Sequence, residues 1–220
     1  MNLQTKNPWQ KLPHAVYEKH MGHKNVQQLD MLSRIFGGQL ALVADIEKPT
    51  VAILGITGGN GLSHIKEGAY KTVLGLDINE QYLDICRTRY RELSTLALHQ
   101  IDLMTEKDRA VALLQNADLV VANLIVKHIH LCNFIEIISK LVTPVVSITI
   151  QFNPDGQSLS HSGFEAAFDE IQTHGCNCDA LELNTEMHNA KYRLIDKIEH
   201  ELPNQKWLIR LDYKHMEVTG

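Results

Sequence analysis

The sequence predicts an α/β fold: a doubly wound, mostly parallel seven-stranded sheet with an antiparallel C-terminal hairpin and a helical arm in front of it. Three observations predict it. Apolar runs of strand length alternate with helix-period stretches over residues 51–152. The first run, Val51-Ala-Ile-Leu54, enters a glycine cluster, Gly55-Ile-Thr-Gly-Gly-Asn-Gly61. The chain also closes on two strand-like stretches joined by Leu202-Pro-Asn-Gln205, a connection short enough to make them antiparallel neighbours.

Each element follows in order. Residues 1–13 are polar and contain Pro8 and Pro13, which predicts an irregular lead-in. From His14 to about Asp45, Val26, Leu29, Leu32, Ile35 and Phe36 recur at helical spacing, with an interruption expected at Gly37-Gly38. Residues 51–54 are the first strand. An unalternating apolar run suits a strand buried on both faces. A short helix is expected from Leu62 to about Glu67, then the second strand over 71–77. Asn79 is a good N-cap for a helix to about Leu93, whose buried stripe is Tyr82, Leu83, Ile85, Cys86 and Tyr90. The third strand is 95–101, a helix spans about 106–115, and the fourth strand is 117–122. A helix over about 131–141 precedes the β-branched fifth strand, 143–152. Helices are expected at 163–173 and 184–191, then strands at 192–201 and 206–214. The chain divides into an arm, 1–48, and one domain, 49–220.

Composition bounds the partners. The 220 residues suffice for one α/β domain and a small appendage. A formal charge of −5 gives no basic field, so a nucleic-acid partner is not expected, and Arg87, Arg89 and Arg91 read as the wet side of a helix. No apolar run is long enough to span a membrane, and Met1-Asn-Leu-Gln-Thr-Lys6 lacks the apolar core of a signal peptide. The four cysteines are scattered, as in a cytoplasmic protein with reduced thiols. Cys176-Asn-Cys178 near His174 lacks a second ligand pair, so no metal is expected. The partner expected is a small molecule; the oligomeric state is not legible.

The glycine turn carries the first functional signal. Gly55, Gly58, Gly59 and Gly61 let the chain turn sharply and let a ligand approach bare backbone. A helix opening there would point free N–H groups at an anionic or nucleotide-like group. Asp77 ends the second strand, 22 positions after Gly55, where an acid can accept hydrogen bonds from both ribose hydroxyls of a bound nucleotide. Turn and acid together point to a ribonucleotide-type cofactor.

The element order, the glycine turn, Asp77, Asp102 and the closing hairpin resemble class I S-adenosylmethionine-dependent methyltransferases, with their Rossmann-like fold. The likeness covers about residues 51–214. Gly55-Ile-Thr-Gly-Gly-Asn-Gly-Leu62 with His64-Ile65, and Tyr17-Glu-Lys-His-Met21 in the arm, are similar to a bacterial subgroup of uncertain substrate. The resemblance implies S-adenosylmethionine as cofactor and S-adenosylhomocysteine as product. It sets Gly55, Thr57 and Gly59, with Gly58 and Asn60 in the same turn, against the methionine part. It gives the ribose to Asp77, with Ile78 beside the adenine, and the adenine amino group to Asp102, with Leu103 offering its N–H. Asn123 lies near the methionine moiety and the substrate. Two residues depart from the pattern: Ile53 where an acid is frequent, and Thr57 where a glycine is common. Asn123-Leu-Ile-Val126 lacks the Pro-Pro-aromatic motif of base-amino methylation.

His128 is the residue best placed to serve as a general base, and Tyr17 the arm residue best placed to reach the cofactor or substrate. Each has a plainer reading, a helix-start histidine and a packed aromatic, and His20 and His23 read by default as a wet helix face. Lys127-His-Ile-His130 offers no carboxylate for a metal. Phe152 and Asn153 are placed at the pocket rim, with specificity expected from 154–190. The expected activity is methyl transfer to a small-molecule acceptor. One rival is an NAD-dependent oxidoreductase, against which a Gly-x-Gly-x-x-Gly pattern fails from Gly55, Gly59 and Gly61 alike. The other is a non-catalytic cofactor-binding protein.

Overall fold

The computed structural model describes residues 7–154, 156, 159–160, 162–176 and 178–217. The N-terminal hexapeptide considered above as a leader lies outside them, as does Asn177 of Cys176-Asn-Cys178. Five strands run parallel: β1 (Thr50–Leu54), β2 (Thr72–Asp77), β3 (Leu96–Gln100), β4 (Leu119–Asn123) and β5 (Val145–Phe152). The hairpin of β6 (Tyr192–Glu201) and β7 (Trp207–His215) returns antiparallel, with β7 inserted beside β5. The sheet order is β3-β2-β1-β4-β5-β7-β6. This is the seven-stranded, mostly parallel sheet that the sequence predicts.

Eight α-helices are described: α1 (His14–Met21), α2 (Gln28–Leu40), α3 (Glu80–Arg89), α4 (Lys107–Leu114), α5 (Val126–Ile129), α6 (Leu131–Ile138), α7 (Asp169–His174) and α8 (Ala180–Asn189). Alternate residues of β1 enter the two faces of the sheet, as strand geometry requires. Ala52 and Leu54 join Leu114 of α4, Phe134 and Ile137 of α6 and Leu183 of α8. Val51 and Ile53 join Phe36 and Leu40 of α2 and Leu83 of α3.

Two expectations are corrected here. The helix expected over 62–67 is a single 3₁₀ turn, Leu62–His64. Beyond Leu62 and Ile65 the stretch has no apolar stripe, and Gly68 sits at φ +77. Helix α2 of the arm packs on that face instead: Phe36 and Leu40 share a core with Leu62 and Ile65, and Asn60 Nδ2 donates to the Leu29 carbonyl at 3.0 Å. The glycine turn therefore leads into a 3₁₀ turn rather than into the N-terminus of an α-helix.

The second correction concerns Gly37-Gly38. Helix α2 runs through both, and the chain breaks earlier, between α1 and α2, where Gln27 adopts φ 50. The glycines serve close approach rather than a break. A Cβ on Gly37 would lie 3.2 Å from the His64 ring, and one on Gly38 only 2.5 Å from Arg210 Nη1. Gly38→Ala pits a helix-propensity gain of about 1 kcal/mol against an overpacking cost of about 1–3 kcal/mol. The Arg210 guanidinium cannot swing aside, because Asp212 holds it at two nitrogens. A net loss of about 1–2 kcal/mol is expected, read as a lower urea midpoint at unchanged slope. A midpoint at or above the wild-type value would refute it.

Candidate functional site

A cavity of about 790 Å³ opens at the C-terminal ends of β1 to β5. The sheet order reverses between β1 and β4, and such switch points hold ligands because the flanking connections leave to opposite faces. Gly55, Thr57, Asp77, Ile78, Asp102, Leu103, Asn123, Tyr17 and His128 all line this cavity. Gly58, Gly59 and Asn60 are not in its lining. A Cβ on Gly58 would meet His14 Nε2 at 2.1 Å, and one on Gly59, at φ +86, would meet Tyr90 at 2.6 Å. These two glycines admit neighbouring side chains to the backbone of the turn, while Asn60 ties the turn to α2.

Asp77 is the most constrained acid of the site. It is buried at the end of β2, where Oδ2 accepts from the Thr57 N–H and Oδ1 from the Asn79 N–H, both at 2.9 Å. Burial pushes its carboxyl up to about 6, and the backbone donors Asn79, Thr57 and Ile78 only partly offset this. At the end of β3, Asp102 Oδ1 accepts from the Met104 N–H at 2.9 Å, and its own N–H donates to Glu106 Oε2 at 2.9 Å. Asn123 lines the cavity with its carboxamide already engaged. Oδ1 accepts from Gln39 Nε2 and Thr149 Oγ1, and Nδ2 donates to Gln39 Oε1. It is a fixed wall rather than a free donor.

The arm covers the Asp77 end. Tyr17 is buried beside Tyr82, His14 and Trp9, with ring centroids 5.8, 6.2 and 6.3 Å away. Burial, followed by the Asp77 charge, pushes its phenol upward out of the ordinary range, against a hydrogen bond with Thr57. Tyr17 is thus a neutral hydroxyl and not a base. Backbone clamps hold the arm: Asn79 Nδ2 donates to the Trp9 carbonyl at 2.8 Å and Tyr82 Oη to the Leu12 carbonyl at 2.9 Å. Lys11 pairs with Glu170 of α7. Trp9 was not legible as a site residue, since a lone tryptophan after Pro8 in a polar lead-in carries no periodic signal.

His128 sits on α5, edge-on to Trp9 at 4.7 Å between ring centroids. Burial first, then the charges of Lys127 and His174, hold its imidazole well below the usual histidine range. It is neutral near pH 7, and its buried Nδ1 has no partner among the described residues. His20, read from sequence as wet, is buried, bonded to Ser162 Oγ at 2.6 Å and stacked near Phe168. The apolar face of α1 alone does not reveal this, because the partners lie beyond residue 160. His130 bonds the His174 carbonyl outside the cavity lining. Phe152 and Asn153 lie in the lining, as does Lys127. Among the described residues no three His, Cys, Asp or Glu side chains converge as metal ligands, and no helix is long and apolar enough to cross a membrane.

Neither a protein-family model nor a curated protein matches the chain. Solved structures do match it. Magnesium protoporphyrin IX methyltransferase (ChlM) from Synechocystis PCC 6803, with bound S-adenosylmethionine, superposes with a TM-score of 0.69 at 10% identity, over 98% of this chain and 100% of that one. The chain has the class I methyltransferase fold. The [4+2]-cyclase SpnF follows at TM-score 0.67 and 12% identity, covering 95% of each chain. The N-terminal domain of EvdMO1, with S-adenosylhomocysteine bound, gives 0.58 at 13%, over 83% of this chain and 81% of that one. In this methyltransferase fold β7 runs antiparallel beside β5, whereas a two-halved dinucleotide fold carries a parallel sixth strand. The oxidoreductase rival is therefore not favoured.

Proposed function

We propose that the chain is an S-adenosylmethionine-dependent methyltransferase acting on a small-molecule acceptor. The observation that carries this is the buried Asp77 carboxylate at the end of β2, inside a cavity at the switch point of a methyltransferase fold. The residues fit the cofactor. The Asp77 carboxylate accepts from the backbone N–H groups of Thr57, Asn79 and Ile78 and, with its remaining acceptor capacity, offers a ribose hydroxyl a charged partner. A cavity of about 790 Å³ falls within the range of ligand pockets.

When bound, the cofactor supplies an activated methyl group on a sulfonium. What remains for the protein is to hold, orient and exclude water. Asp102, Leu103 and Ile78 would hold the adenine, and Gly55 and Thr57 would border the methionine part. Trp9 and Tyr17 close the cavity from the arm side. His128, neutral at pH 7 and part of the lining, is the imidazole that takes the proton of a hydroxyl or thiol acceptor.

The test is parallel calorimetric titration with S-adenosylmethionine, S-adenosylhomocysteine and NAD. Micromolar binding of the first two with none for NAD is expected, and NAD binding alone would overturn the proposal. With an acceptor in hand, His128→Ala should lower turnover on the order of 10²–10⁴-fold while S-adenosylhomocysteine affinity holds. Unchanged turnover would remove His128 from the chemistry, and cofactor binding without turnover on any acceptor would favour a binding protein.

A further inference from the structure

The charges around the cavity are unevenly placed. Asp77 and Asp102 stand at the ends of β2 and β3, each tied to backbone N–H groups. Across the cavity, past β4, stand Lys127, His128 and His20. Among the described residues Lys127 donates to no carboxylate and forms no ion pair, although it lines the cavity. The third acid of the lining, Asp179, is spent capping α8, where its side chain accepts from the Glu182 N–H at 2.8 Å. Cys178, also in the lining, is a neutral thiol, pushed by burial up to about 12. Burial lowers the imidazoles of His128 and His20, and a histidine in either state is no counter-ion to an ammonium. Desolvation first, then repulsion from the Lys206 ammonium, lowers Lys127 from the ordinary lysine range.

A half-buried ammonium that lines a cavity without a carboxylate partner gains from an anion brought by a ligand. Leu124, Leu159, Phe168 and Ile171 share a core cluster and line the same cavity, alongside the polar side chains of Gln151, Ser160 and Gln172. A phosphate dianion calls for several converging donors, usually including arginine forks. Lys127 supplies the one ammonium of the described lining, and with an apolar cluster in the same cavity this matches a monoanion with an apolar body.

We propose that the acceptor side of the cavity takes an amphipathic carboxylate, its anionic end against Lys127 and its apolar body against Phe168 and Ile171. This rests on the methyltransferase reading only in naming the ligand an acceptor. Lys127 is an anchor here and takes no part in bond making. A carboxylate held against an ammonium is a poor nucleophile, so the atom methylated is a second group of the same molecule, presented near His128.

The test uses octanoate and its uncharged isostere octanamide, titrated calorimetrically into the full chain with and without saturating S-adenosylhomocysteine. Octanoate is expected to bind at least ten-fold more tightly than octanamide. Lys127→Met should bring the two to near equality, Lys127→Arg should restore the preference, and neither should move S-adenosylhomocysteine affinity. Equal binding of the two probes to wild type would overturn the assignment, as would failure of both to bind or an undiminished preference in folded Lys127→Met. If wild type fails to bind S-adenosylhomocysteine, the methyltransferase reading falls, while the octanoate comparison without it still decides the role of Lys127.

Discussion

Asp212→Ala is expected to destabilise the protein by about 3–5 kcal/mol, the cost of leaving a buried charge without its partner. Asp212 is fully buried in β7 and Arg210 nearly so. The carboxylate accepts from Arg210 Nε at 2.9 Å, from Arg210 Nη2 at 2.7 Å and from Ser147 Oγ at 2.5 Å. Alanine removes all three acceptor contacts and strands the guanidinium beneath α2, where Gly38 lets the helix close over it. Chemical denaturation reads the loss directly. The double variant Arg210→Met with Asp212→Leu should recover most of it, since removing both charges costs far less than removing one. A single variant within about 1 kcal/mol of wild type would mean that water reaches Arg210.

The same pair reaches the site through a chain of contacts. Ser147 accepts from Gln39 Nε2 at 2.9 Å, and Gln39 exchanges hydrogen bonds with Asn123 on the cavity wall. Helix α2 is thus tied to β4, β5 and β7 by buried polar groups rather than apolar packing alone. Such a network fixes one position of the helix, because any shift leaves several partners unsatisfied at once.

The sequence revealed the sheet well because its strands are long apolar runs between clear turn signals, and Asp77 because a strand-end acid after a glycine turn has one strong physical reading. What it did not reveal depends on partners distant in the chain. Gly37 and Gly38 read as a break because glycine lowers helix propensity, yet their neighbours are His64 and Arg210, which no local window contains. The helix expected after Gly61 is replaced by α2, a substitution across the sheet face that periodicity cannot foresee. Lys127 gives no signal in the sequence for the same reason. A lysine is ordinary in sequence, and it gains meaning only when burial and the absence of an acid partner among the described residues are seen together.

Asp77→Ala should weaken S-adenosylmethionine binding by roughly 1.5–3 kcal/mol, about ten- to a hundred-fold or more, as for hydrogen bonds to a charged acceptor. The affinity should also depend on pH in a way that identifies the residue. Burial raises the carboxyl from 3.8 to about 6, so the folded, unliganded protein binds its proton more tightly than the unfolded chain does. Stability from this group is present below about pH 4 and is lost as pH rises through 6. Ribose hydroxyls act in the opposite sense, since they donate to the ionised form. Affinity should therefore climb up to about ten-fold per pH unit below 6 and level off above it. His14 and His20 border the same region, so wild type alone does not assign the titration. The difference between wild type and Asp77→Ala does. A slope that persists in the variant would move the titration elsewhere, and an unchanged affinity in a folded variant would remove Asp77 from the cofactor site.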